Sequence, residues 1–394
     1  MYKAHPVLKK CVPEHEIPSD CIGIRGRIYQ TSTIDHPGGS VFLKICTGCD
    51  ATPLYESHHL DIDAADRYLA QIPHVGTYVP LVRYEYGGYR TMREAARRVL
   101  PSRQSRGMSA QSRRLHLAII WASLAVHAWM VCSPTAWKCV LSALLNSVCG
   151  ALGHNAVHRV DAISVMLDWN GLSCYEWLHE HAHSHHMYVN TVHDHDVISM
   201  EPYLFWMKAR GESLVGKRSK HLLYAIAEMA VALQGNVGHR MRWSLLRSRD
   251  FPLWMRLAPF AFLARVASHI VVLGVVQGLL TFFAVFSMAS FYFASIAHMT
   301  HAKVHIEETN DFAKMQMDNT IDICAPGLAY LVLLLDRQRL HHLFPAVDHT
   351  RLPALRGVVS PLASGLVELN RVVNDVLEPR RVADLGHGNV RKHD

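Results

Sequence analysis

Histidines are the residues of this chain whose type and spacing could do chemistry. Residues 179 to 190 read HEHAHSHHMYVN, with five histidines in the first eight positions. Neutral imidazole suits iron, zinc, copper and nickel alike. A short histidine-rich tract is equally compatible with a solvated stretch or a titrating switch. Two further clusters weigh toward metal. His154-Asn-Ala-Val-His158 carries imidazoles at i and i+4, and Arg337-Gln338-Arg339-Leu340-His341-His342 carries another pair. Residues four apart share a helix face, so His154 and His158 can point at one ion, as can His181 and His185. His186 then swings roughly 100° round to reach a neighbouring ion. His179, His183 and His186 form a rival face, and helical periodicity does not choose between the two sets. The clusters together offer at least eight candidate ligands. A structural zinc needs only four, so this number points to two metals. Two adjacent irons can take up and split oxygen, the chemistry that attacks an unactivated C–H bond.

Such a site needs rigid elements to converge on it, and the apolar residues supply them. Of 394 residues, 50% are hydrophobic, and they are clumped. Residues 115–132 and 135–152 are each near the roughly 17–25 residues that cross a bilayer. A second block, 257–298, would reach roughly 60 Å as helix, which predicts two crossings turned near Gly274–Gly278. An even number of crossings brings the third histidine cluster back to the side of the first two. Arg265 inside this block costs about 2.5–3.5 kcal/mol if it sits centrally in lipid. His127 and His269 also lie within apolar spans and are expected to face the bundle interior. The shorter apolar stretch 222–235 is expected to form an interfacial helix.

Charge orients the chain. The net charge is +7, and residues 89–114 carry eight arginines against the single acid Glu94, directly before the first span. The positive-inside rule puts this segment on the cytosolic face, against anionic headgroups. The basic run abuts a membrane span without any nucleic-acid motif, so no nucleic-acid partner is expected. Nine scattered cysteines imply no disulfide framework, and Cys46-Thr-Gly-Cys49 is one half of a zinc pattern without the other. The opening residues lack the apolar core of a signal peptide.

With these residues in view, the sequence resembles the membrane fatty-acid desaturases, in particular the front-end type with a fused cytochrome b5-like domain. The family's three histidine boxes read HxxxH, HxxxHH and QxxHH. Here they appear as His154–His158, His181-Ala-His-Ser-His185-His186 and Gln338-Arg-Leu-His341-His342. The resemblance thus selects His181, His185 and His186 and leaves His179 and His183 as neighbours. MYVNTVHDHDV resembles the family's HHxYTN…DPDV, which makes Asn190, Asp194 and Asp196 candidates for orienting the ligands. Asp311-Phe312…Gln316, Leu343-Phe344-Pro345 and His349 are also similar to family segments, and His298 stands where the family has a further histidine. The implied metal set is therefore His154, His158, His181, His185, His186, His298, Gln338, His341 and His342, holding two irons.

The N-terminal part resembles cytochrome b5. His36-Pro37-Gly38-Gly39 is its haem motif, Ile24–Tyr29 stands for the preceding strand, and Tyr55 four residues ahead favours His59 over His58 as second axial ligand. His36 and His59 would then hold haem b as a six-coordinate electron-transfer centre. The sequence departs from the family around the first box, at Asn155 and Val157, and around the third, at Asp336, Arg337, Arg339 and Leu340. The expected ligand positions survive, so the departures bear on substrate.

These expectations add up to a mainly α, polytopic helix bundle of about four transmembrane helices with a cytosolic histidine cap. A small α+β cytochrome b5-like domain precedes it, with boundaries at 1–85 and 86–394. The resemblance implies insertion of a cis double bond into a long, already unsaturated acyl chain. Oxygen is the oxidant, and electrons come from NADH through a cytochrome b5 reductase at the endoplasmic reticulum. Gln338 in place of histidine is the mark of the front-end type. A diiron hydroxylase of an acyl chain or sphingolipid would share the irons and boxes, though Gln338 with Leu343-Phe344-Pro345 favours the desaturase. A metal transporter would hold its ligands near the bilayer midplane, and a haem carrier leaves the boxes unexplained.

Overall fold

In CIGIRGRIYQ, Arg25 and Gly26 both take positive φ (50° and 77°), as a two-residue hairpin turn requires. Ile24–Tyr29, expected as one strand, is therefore folded back on itself, with β1 over Cys21–Ile24 and β2 over Arg27–Gln30. The computed structural model describes residues 17–80, 82–191, 193–198, 251–301, 309–323 and 327–359, without the side chains of residues 197, 198, 298 and 359. The stretch 222–235 lies outside the described residues. β3, His74–Thr77, completes an antiparallel sheet of order β1-β2-β3. Helices α1 (Thr52–His58) and α2 (Ile62–Leu69) pack beside it. The core under the sheet contains Ile22, Ile24, Tyr29, Leu54 and Tyr55, and also Met187 and Tyr188. Those last two directly follow the second histidine box, so the N-terminal domain is built onto that box.

Helix α3 (Gly87–Val99) buries Tyr89, Met92 and Ala96 and leads to α4 (Ala110–Cys132). Ser109 caps α4, its side chain accepting from the Ser112 amide. α5 (Ala136–Val157) returns antiparallel to it, and Trp129 and Trp137 meet edge to face at 4.9 Å beside the connection. Aromatic residues of this kind are enriched at a membrane interface. α6 (Pro259–Leu273) and α7 (Val275–Met299) form the second hairpin, broken where Gly274 takes a φ of +77°. The turn thus falls where the length argument put it. By length and composition, Arg103–Cys132, Ala136–Val157, Leu253–Leu273 and Val275–Ala297 can each cross a membrane. Trp121, Val271, Val276 and Leu280 stay exposed on these helices, as side chains facing lipid do.

The polar residues of the spans turn inward. Arg265 is fully buried, donating to the Trp169 carbonyl at 3.0 Å with its guanidinium over the rings of Trp169 and Phe282. Cation–π contact and a helix-end carbonyl offset the cost of a charge in this position. His127 bonds the Ser268 hydroxyl at 3.0 Å, His269 donates to the Arg265 carbonyl at 2.9 Å, and the two rings touch at 5.0 Å. Beyond the bundle, α8 (Phe312–Asp318) and α9 (Gln338–Leu343) share a core with α3 through Tyr89, Phe312, Leu340 and Phe344.

Candidate metal centre

The second histidine box is a π-helix, Leu178–His185. Its hydrogen bonds close from i to i+5, a wider turn found mostly at functional sites. Residue i+5 therefore lies over residue i nearly as i+4 does, and His185 and His186 both come over His181. Their rings lie 5.0 Å and 4.7 Å from the His181 ring. α-Helical periodicity left the face open because the segment is not an α-helix.

α5 ends at the first box and α9 carries the third, so three elements converge. His154, His158, His181, His186 and His341 form one group whose offered nitrogens all lie within 4.8 Å of one another. Within it the Nε2 atoms of His154 and His181 are 2.8 Å apart, those of His181 and His186 3.1 Å, and those of His154 and His341 3.2 Å. A second group joins His185, His301 and His342. Gln338 reaches it, with Nε2 3.0 Å from His301 Nε2. His301 was not foreseen. The signal lay in His298-Met-Thr-His301, where the end of the span left two candidates; the side chain of His298 lies outside the described residues.

Neighbouring acceptors fix which nitrogen of each imidazole is free. His181 Nδ1 donates to Asp196 at 2.8 Å and His185 Nδ1 to Asp194 at 2.9 Å. His342 Nδ1 donates to Gln316 Oε1 at 2.9 Å, and Gln316 Nε2 in turn donates to the His186 carbonyl at 2.7 Å. Asp194 is itself held by the amides of Asn190 and Asp196 at 2.7 Å and 3.0 Å. A ring that donates through Nδ1 presents a lone pair at Nε2, the carboxylate–histidine arrangement of metal sites. Lone pairs converging in a buried space fit cations. Neither nitrogen of His158 has a hydrogen-bond partner among the described residues, nor does His342 Nε2. The donor set therefore suits two metal ions side by side. His179 lies against Tyr175 at 5.0 Å and belongs to neither group.

The other predicted pair meets too. His36 Nε2 faces His59 Nε2 at 3.4 Å, close to the span of two metal–imidazole bonds of roughly 2 Å each. His59 Nδ1 donates to the Tyr55 carbonyl at 2.8 Å, and His36 Nδ1 lies 3.1 Å from the Gly39 carbonyl. Gly38 is required for space: a Cβ there would come within 2.7 Å of the His36 ring. The pair fits the axial ligation of a haem. Cys46 and Cys49 are simply buried in the core of this domain.

Burial, followed by neighbouring imidazoles, holds His158, His186, His341 and His342 well below the ordinary imidazole range. Burial likewise lowers His183 to about 4 and His58 to about 3. In the unfolded chain these rings return to the ordinary 6.5 and take up protons that the folded state refuses. Stability of the metal-free protein is therefore full above that value and falls as the pH drops toward about 4. Urea titrations of chelator-stripped protein should show a clearly lower midpoint at about pH 5.5 than at about pH 7.5. Equal midpoints would contradict the buried, neutral rings.

The sequence profile of the fatty acid desaturase family matches residues 132–367. A cytochrome b5-related protein of Drosophila melanogaster is 28% identical over 359 residues, covering 84% of this chain and 79% of the relative. An acyl-lipid (8-3)-desaturase of Mortierella alpina is 23% identical over 402 residues, covering 87% of each. An acyl-lipid (7-3)-desaturase of Rebecca salina is 24% identical over 367 residues, covering 82% and 80%.

Proposed function

The chain belongs to the fatty acid desaturase family, an integral-membrane family of oxidoreductases, and we propose that within it this protein is a front-end acyl desaturase. The observation that carries the proposal is the second histidine group. There Gln338 stands among His185, His301 and His342, at the position where the resemblance to front-end enzymes expects glutamine. The names of the Mortierella and Rebecca relatives support it.

The proposed ligands are His154, His158, His181, His186 and His341 for one iron, and His185, His301 and His342 with Gln338 for the other. Once bound, the irons would activate O2, which is the oxidant. The chain supplies the rest. Asp194, Asp196 and Gln316 orient the imidazoles, and Trp177, stacked on His181 at 4.7 Å, helps to exclude water. Overall, adjacent methylenes lose two hydrogens to become a cis double bond. One O2, two electrons and two protons complete the balance, leaving two waters. His36 and His59 would hold a haem b, which would supply one-electron transfer from NADH by way of a cytochrome b5 reductase. The domains divide at 1–85 and 86–394. The basic run 89–114 supports an orientation in the endoplasmic reticulum with the boxes facing the cytosol.

The test is expression in a host without polyunsaturated lipids, fed a panel of unsaturated fatty acids, with double-bond localisation by mass spectrometry. A new double bond on the carboxyl side of an existing one is expected, absent from His341→Ala. A hydroxylated product would transfer the protein to the hydroxylases. No product from protein fully loaded with iron and haem would refute the front-end assignment.

A further inference from the structure

His58 and His59 are chain neighbours that serve different places. α1 ends at His58, and His59 is extended, with φ −103° and ψ 93°. The break in the helix sends the two side chains apart. His59 meets His36, while the ring of His58 lies 6.3 Å from the ring of His158, a member of the five-histidine group. Phe42 braces His58 from another side at 5.1 Å, and the Ser57 hydroxyl lies 3.0 Å from its Nδ1.

His158 differs from the imidazoles around it. His181, His185 and His342 are each tethered by a carboxylate or amide oxygen, but His158 has no hydrogen-bond partner among the described residues. The Nε2 of His58 is also buried and has no hydrogen-bond partner among the described residues. The free Nε2 side of His58 and the untethered His158 ring thus meet where the N-terminal domain touches the five-histidine group. The covalent step from His59 to His58 and one ring contact join the two histidine sites.

We propose that His58 is the contact through which electrons pass from the haem site to the metal site. The proposal rests on the haem and iron reading given above. Each transfer takes one electron from ferrous haem, which becomes ferric, to a ferric ion of the pair, which becomes ferrous. Two transfers serve each turnover, and the NADH-dependent reductase restores the haem each time. His58 neither binds iron nor touches the acyl chain; its part is to fill the gap with a packed ring.

The test uses full-length protein loaded with haem and iron. Ferrous haem is prepared anaerobically, mixed with oxygen and an unsaturated acyl substrate, and followed optically as it reoxidises. Protein stripped of non-haem iron supplies the background rate. His58→Ala should slow the iron-dependent reoxidation by roughly tenfold, since the redox chemistry depends on how the protein places the centres. Haem spectrum, haem midpoint potential and iron content should stay unchanged, which a structural defect would not allow. His58→Phe keeps a packed ring and should react near the wild-type rate. A wild-type rate in His58→Ala would overturn the proposal, as would equal slowing in both variants. A wild-type protein that binds no haem or no iron would instead refute the cofactor reading.

Discussion

His186→Ala is expected to abolish double-bond formation and to strip iron from the protein while leaving its haem spectrum intact. Removing His186 affects both histidine groups at once. Its Nε2 is 3.1 Å from His181 Nε2, and its ring lies 4.3 Å from His158 and 4.8 Å from His341, within the first group. It also stacks on His342 of the second group, 4.1 Å between centroids and 13° between planes. Losing a partner outside the ligands typically costs metal affinity roughly ten- to a hundredfold, so losing a proposed ligand of the first group that also packs on the second should cost at least about a hundredfold. Metal analysis after buffer exchange reads the first effect and lipid mass spectrometry the second. His179→Ala is the informative control, because His179 is buried in the π-helix that runs up to His186 but packs on Tyr175. It should retain both irons. If His186→Ala kept its iron, or His179→Ala lost as much, histidine richness rather than this arrangement would account for the metal.

The contrast between His179 and His186 also marks what the sequence made legible. Hydropathy put His154 and His158 at the end of an apolar span, but the choice of His181, His185 and His186 over the rival face came from the resemblance, and the structure sets His185 and His342 in a group apart from His154, His158, His181, His186 and His341. The turn at Gly274 followed from helix length alone. The π-helix was hidden, because nothing in HEHAHSHH distinguishes i+5 from i+4 bonding. His301 was hidden because its place depends on where α7 stops. Gln316, 26 residues from His342, was visible only as part of a resemblance, and its two hydrogen bonds supply the physical reason for it. Long-range placement of this kind arises from packing, which periodicity does not encode. Arg265 shows the same limit from the energetic side: its cost in lipid was legible, but the rings of Trp169 and Phe282 that offset it come from distant segments.

Glu56→Ala should loosen the N-terminal domain from the cap by roughly 3–5 kcal/mol, the usual cost of breaking a buried ion pair. Glu56 and Arg93 are 3% and 1% exposed, and Oε2 accepts from Arg93 Nη1 at 2.7 Å. The same Nη1 also donates to the Glu56 backbone carbonyl at 3.1 Å. Arg93 belongs to α3 and Glu56 to α1, so the pair joins the element behind the first span to the helix that ends in His58. Arg25 also contacts Glu56, but it is 36% exposed and screened, so its share is small. Without the Glu56 carboxylate, Arg93 stays buried with its Nε and Nη2 unpartnered among the described residues, and its charge keeps the residue-56 backbone carbonyl and the Tyr89 ring in place of an anion. Limited proteolysis and denaturant titration should both register the loss. The decisive comparison is the double variant Glu56→Met with Arg93→Met, in which no charge is left stranded. A buried ion pair replaced by apolar side chains of similar volume is often neutral or stabilising, so the double variant should recover most of what either single variant loses. If it is instead as unstable as the sum of the two, the pair is not coupled and the domains are held by their shared apolar core alone. Because Glu56 stands two residues before His58 on the same helix, the two outcomes also differ in electron transfer. Stranding Arg93 should slow haem reoxidation along with docking, and the double variant should restore both together.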